Sequence, residues 1–139
     1  AAAEGNPDLL IDMATLTGDA RTALGPDIPA VLASSDELAR ELVAAGAAVC
    51  DPLWPMPMWK PYAARMASDL AEINTIADWD FADHIHAALF LQRFVGEDTA
   101  WLHVDTGCWN IKDKPGRPKG GEAMGARAVF ELIKRRYGA

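Results

Sequence analysis

Pro7-Asp8-Leu9-Leu10-Ile11-Asp12-Met13-Ala14-Thr15-Leu16-Thr17-Gly18 is the stretch on which the reading of this chain turns. Leu9, Leu10, Ile11 and Met13 form a short, nearly continuous apolar run after Asn6-Pro7, the pattern of a strand buried on both faces. The run leads into a small-residue turn, Ala14-Thr15-Leu16-Thr17-Gly18. In an open α/β sheet, ligands bind beyond the carboxyl ends of the strands. A strand ending in Thr-Leu-Thr-Gly presents free backbone groups there, and Gly18 permits a ligand to approach closely. Most strands end without binding anything, so this turn alone identifies no site.

Outward from that stretch, strands and helices alternate. Ala30-Val31-Leu32-Ala33 reads as a second buried strand. Ser34, with Glu37 three residues on, is expected to open a capped helix whose apolar face is Leu38, Leu42 and Val43, with Gly46 as its end. Four prolines and two tryptophans crowd residues 51–61, so Pro52 to Pro57 is expected to be extended and Pro61 to begin a short helix running to about Met66. Tryptophans and prolines of this kind also suit a peptide-binding surface, although cover for the core is the commoner use. A helix over Ile85 to Val95, apolar almost all round and followed by Gly96, should be covered on most sides. Ala100 to Val104 is the last strand, residues 106–121 form a loop, and Gly121 to Tyr137 forms the closing helix. This order predicts a three-layer α/β arrangement, a mixed, mostly parallel sheet flanked by helices, with residues 1–139 as one unit.

Composition narrows the partners. At 139 residues, half of them apolar and 24% charged, the chain can bury a sizeable core. Thirteen basic against twenty acidic residues leave a net charge of −7, which opposes binding to nucleic acid. Lys134-Arg135-Arg136 is expected to complement the negative end of the final helix. No apolar run has the length a membrane helix needs, and Ala1-Ala2-Ala3-Glu4-Gly5 does not read as a signal peptide. The cytoplasm is therefore the expected compartment, and the lack of an initial Met fits a cut end. Cys50 and Cys108, outside any C-x-x-C pair, are expected to be buried free thiols.

Two further clusters invite chemistry. His84-Ile85-His86 beside Asp78, Asp80 and Asp83 has metal-ligand side chains, but residues two apart on a helix point away from each other; Asp83 or Asp80 is better read as an N-cap. His103-Val104-Asp105-Thr106-Gly107-Cys108-Trp109 offers a His, an Asp and a thiol. His103 and Asp105 should share one face of their strand, where structural hydrogen bonding is the expected use. Cys108 lacks a positioned base.

Read together, these blocks resemble one family. Pro7-Asp8-Leu9-Leu10-Ile11-Asp12 with Ala14-Thr15-Leu16-Thr17-Gly18, then Ala23-Leu24-Gly25, Pro52-Leu53-Trp54-Pro55-Met56-Pro57-Met58-Trp59, Ser68-Asp69-Leu70-Ala71-Glu72-Ile73-Asn74, Ala87-Ala88-Leu89-Phe90-Leu91 with Phe94-Val95, and His103-x-Asp105 follow in the order of the leucyl aminopeptidase (cytosol aminopeptidase) family. The resemblance covers nearly the whole chain and points to the C-terminal part of the catalytic domain. His84 and His86 depart from the family, which usually carries small residues there. The loop after Asp105 is similar to a branch with Trp-Asn followed by Lys-Pro-Gly-Arg-Pro.

What the resemblance implies is a two-metal peptidase that removes N-terminal residues from peptides. The backbone of Leu16 and Gly18 would hold the substrate's main chain, and Thr15 and Gly18 would line the pocket for its first side chain. In the family a lysine and several carboxylates, ending in an Asn-Thr-Asp-Ala-Glu-Gly-Arg cluster with a catalytic arginine, hold two divalent ions (Mn or Zn). Ala3-Glu4-Gly5 echoes that cluster, yet Ala2 stands where the metal-binding Asp would be and Asn6 where the Arg would be. Ala1–Gly5 is expected to be the tail of a helix, and neither a metal ligand nor a catalytic residue carries over. The expectation is thus a hydrolase, a metalloprotease of proteolysis, working as a homo-oligomer (hexamer), of which this chain alone binds no metal and is inactive. The alternative is a non-catalytic binding or assembly module that keeps this half of the fold.

Overall fold

A computed structural model describes residues 2–96 and 98–138; of the expected N-terminal helix tail, Ala1 lies outside them, and Ala2–Gly5 is a single 3₁₀ turn. Four strands make the main sheet: β1 (Leu10–Ala14), β2 (Ala30–Ala33), β3 (Trp54–Pro55) and β4 (Trp101–Asp105), in the spatial order β1-β4-β2-β3. β1 runs parallel to β4 and β2 parallel to β3, whereas β2 and β4 are antiparallel. The sheet is therefore mixed, as the alternation of elements predicts. The register sets Asp12 opposite His103 and Ala14 opposite Asp105.

Because strand side chains alternate, the sheet divides the core in two. Val31, Ala33, Leu102 and Val104 face the helices α2 (Asp36–Ala48) and α4 (Ala126–Tyr137). Ala30, Leu32 and Trp101 face α1 (Asp19–Leu24), the 3₁₀ segment Lys60–Met66 and α3 (Asp83–Gln92). This is the expected three-layer arrangement, with α1 as an element the sequence pattern did not announce. Six residues are too few to show a helical period.

Several boundaries move, each for a local reason. The N-cap of α2 is Ser35, whose Oγ accepts the Leu38 N–H, while Ser34 Oγ accepts the N–H of Trp101 from β4. Gly46 does not end α2 but sits inside it. A side chain there would run into the Asp51 carbonyl oxygen, come within 2.5 Å of Leu53 Cδ1 and within 3.2 Å of Ala128 Cβ. The glycine is where α4 and the following loop press against α2. α3 begins after Ala82, a left-handed residue without a side-chain cap. Neither Asp80 nor Asp83 caps it, and the Asp83 N–H donates to Asp19 Oδ2 on α1.

α4 begins at Ala126 rather than Gly121, since Gly120–Gly121 (β6) pairs with Trp109–Asn110 (β5) as a small hairpin inside the expected loop. The carboxylate of Asp51 then caps α4 from a distance. Its Oδ1 accepts the Gly125 N–H and its Oδ2 the Ala128 N–H, with Arg127 beside it. A buried anion there satisfies free helix donors and complements the helix dipole. Cys50 is exposed and Cys108 partly exposed, so the expectation of buried thiols fails. Trp54 and Trp59 are more than half exposed, and the cover expected of them comes from Leu53, Met56 and Met58.

Candidate functional site

At the carboxyl end of β1 the chain leaves the sheet as Thr15-Leu16-Thr17-Gly18 and turns directly into α1. Two long-range bonds pin this turn. The Thr106 N–H donates to the Ala14 carbonyl at 2.9 Å, carrying the β1–β4 ladder one step past the strands. Thr17 Oγ1 donates to Asp105 Oδ2 at 2.6 Å. A hydrogen bond to an ionised acceptor is among the stronger kinds, so the turn is held on both sides while its outer surface stays open. Thr15, Leu16 and Gly18 are all exposed.

A cavity lies on each side of the turn. One, of about 290 Å³, is lined by Thr15, Thr17, Gly18, Arg21, Asp105 and Thr106, among others. The second, of about 280 Å³, is lined by Leu16, Thr17, Ile76, Asp83, His86 and Phe90, among others. Gly18 has φ −100°, a value any residue adopts, and no atom lies within 4 Å of where its Cβ would stand. Neither backbone strain nor packing requires glycine there. What the missing side chain leaves free is the approach to the backbone between the two cavities.

Next to the turn, the partly buried Asp12 joins two buried side chains of β4. Asp12 Oδ2 accepts the Trp101 indole N–H at 2.7 Å, and Asp12 Oδ1 lies 2.5 Å from His103 Nδ1. The rings of Trp101 and His103 stack. His103 and Asp105 do share a strand face with structural bonds, as the alternation predicts; the partners Asp12 and Thr17 lie some ninety residues upstream and carried no local signal. Cys108 Sγ lies 3.5 Å from the hydroxyl of Thr106, which is no base to activate a thiol.

The histidine and aspartate cluster disperses. Asp78 pairs with Arg65, and His86 Nε2 accepts the Trp79 indole N–H at 3.1 Å. His84 is 8% exposed and both of its ring nitrogens lack a partner. Burial lowers its pKa below the usual 6.5, outweighing the upward pull of Asp19, Asp105 and Asp83, with His86 adding to the lowering. Among the described residues, no three His, Cys, Asp or Glu side chains group so as to hold a metal ion. No helix there is long and apolar enough to cross a membrane.

Known proteins share this arrangement. A profile of the cytosol aminopeptidase family, catalytic domain, matches residues 1–130. The chain is 41% identical over 130 residues to a probable cytosol aminopeptidase of Desulfovibrio desulfuricans, covering 92% of this chain and 26% of that protein. The cytosol aminopeptidase structure from Coxiella burnetii superposes with a TM-score of 0.92 at 46% identity, over 98% of this chain and 30% of that one. BotP, a bottromycin maturation enzyme solved in complex with Mn, superposes with a TM-score of 0.84 at 30% identity, over 93% of this chain and 29% of its own. The chain thus spans about a quarter of the length of the curated relatives it matches.

Proposed function

This chain belongs to the cytosol aminopeptidase family, and we propose that it is the C-terminal portion of the catalytic domain of an enzyme that hydrolyses N-terminal residues from peptides. Family membership carries a peptidase; the parts assigned to individual residues rest on the pinned, open turn between two cavities. In this reading the Leu16 and Gly18 backbone groups bind the substrate's main chain. Thr15 and Gly18 border the cavity for its first side chain, and the Thr17–Asp105 bond sets the turn's position. Holding a reacting bond in a fixed geometry can account for much of a rate enhancement.

In this reading, as the family resemblance implies, no metal ligand carries over to this chain, and the described residues hold no group of three His, Cys, Asp or Glu side chains. The chain's proposed contribution is orientation of the substrate, with the metal ligands supplied by the rest of the enzyme. Two divalent ions (Mn or Zn), assembly as a hexamer and work in the cytoplasm are proposed for the intact enzyme. The Mn in BotP supports metal dependence.

The test uses a panel of amino-acid amides and two proteins: this 139-residue chain, and the longest polypeptide its coding sequence specifies. The longer protein should hydrolyse members of the panel when supplied with Mn²⁺ or Zn²⁺, and the short chain none of them. Turnover restored to the short chain by metal alone would overturn the assignment of a purely orienting part. Inactivity of the longer protein on every amide would favour a binding or assembly module.

A further inference from the structure

Among the described residues six of the thirteen Lys and Arg side chains reach a carboxylate, and Arg21 is among the seven that form no ion pair. Arg65, Arg117, Arg127, Arg135 and Arg136 each reach a carboxylate, whereas the Arg21 guanidinium makes no ion pair among the described residues. Arg21 is one of the residues lining the 290 Å³ cavity, together with the hydroxyl-bearing Thr15, Thr17 and Thr106 and with Gly18. The carboxylates in its neighbourhood are committed elsewhere. Asp19 Oδ2 accepts the Asp83 N–H, and Asp105 Oδ2 accepts the Thr17 hydroxyl.

Such a lining suits a charged guest better than an aliphatic one. An aliphatic side chain would gain little from three threonines and would desolvate the guanidinium without replacing its hydrogen bonds. A carboxylate would accept two parallel N–H bonds from it. The apolar Ala20, Pro26, Ile28 and Pro29 also line this cavity and suit an apolar guest, and Asp105 points toward a basic one. Asp105 is 5% exposed and already an acceptor, so a Lys ammonium would have to shed its water to reach it. Arg21 is exposed, so a carboxylate reaching it sheds less water than an ammonium reaching Asp105 would.

We propose that Arg21 makes this cavity the acceptor of an acidic first side chain, so that the peptides processed begin with Glu or Asp. The proposal rests on the aminopeptidase reading and narrows its substrate class. Glu and Gln differ in charge but hardly in shape, so the pair isolates the guanidinium's effect.

The experiment measures kcat/KM of the longest natural polypeptide, supplied with Mn²⁺, on Glu, Gln, Leu and Lys amides. Glu should exceed Gln by about tenfold, a usual scale for one partly exposed charge pair. Arg21→Gln should bring the Glu-to-Gln ratio close to one, and Arg21→Lys should restore part of it. A ratio near one in the unaltered protein, a ratio indifferent to Arg21→Gln, or a preference for Lys would overturn the proposal. Should no amide be hydrolysed, the aminopeptidase reading fails separately, and titration with L-glutamate and L-glutamine decides the cavity. Tighter binding of glutamate that Arg21→Gln abolishes upholds the acidic site, and equal binding of the two removes it.

Discussion

The two layers that sandwich the sheet are built to different standards. On the α2–α4 side two demanding positions are satisfied. Gly46 lets α2 meet Leu53 and Ala128, and Asp51 accepts donors from the first turn of α4. On the α1–α3 side, His84, His86 and His103 all keep at least one buried ring nitrogen without a partner. Ile76 and Phe81 lie largely exposed before α3. Among the described residues these histidine nitrogens are joined by one other unpartnered buried side-chain atom, Asn110 Oδ1 in the β5–β6 hairpin. The layer around the turn thus keeps buried histidine nitrogens whose missing partners cost stability.

The sharpest way to break this contrast is to fill the tight glycine. Gly46→Val forces a branched side chain against backbone and Leu53, and should cost about 3 kcal/mol or more. Urea denaturation measures it, and a cost below about 1 kcal/mol would mean that α2 and α4 are not locked. Next comes Asp51→Ala, which leaves the Gly125 and Ala128 N–H groups without their acceptor and should cost about 2–4 kcal/mol. Asp51→Asn should recover part of that loss, since it keeps one accepting oxygen.

On the other layer the sign should reverse. Replacing His84 by Leu removes two unpartnered buried nitrogens and should be neutral or stabilising by up to about 1 kcal/mol at pH 7.5. Acidification enlarges the difference. The folded pKa of His84 lies below 6.5, so as pH falls through 6.5 the unfolded chain takes up a proton that the folded one refuses. Stability then drops until the folded pKa is passed. Unfolding titrations at pH 7.5 and 5.5 should show a steeper loss in the unaltered protein than in His84→Leu. Parallel losses would mean that His84 is protonated in the folded state as readily as in the unfolded one.

The same contrast explains what was legible in the sequence. β1, β2, β4 and the apolar faces of α2 and α4 were readable because their signals are local runs and periods. Gly46 reads as a helix end because its reason lies in Leu53 and Ala128, which the local pattern does not contain. Of two adjacent serines either could cap α2, and only the bond from Trp101 decides that Ser34 is otherwise engaged. At the site, Thr15, Leu16 and Gly18 came from the resemblance. The Thr17–Asp105 bond and Arg21's place in the cavity depend on how β1, α1 and β4 meet in space, and no spacing along the chain encodes that.

Gly18 is the opposite of Gly46: its φ is ordinary and the space at its Cβ is empty. If the turn binds substrate, that emptiness belongs to the ligand. Gly18→Val in the longest natural polypeptide tests this directly, with kcat/KM and melting temperature read on one sample. A side chain that displaces the substrate by about 1 Å can lower the rate by about 100-fold. The account predicts a fall of that order with a melting temperature within about 2 °C of the unaltered protein. A folded Gly18→Val enzyme that turns over at the normal rate would contradict it and remove this turn from the active site.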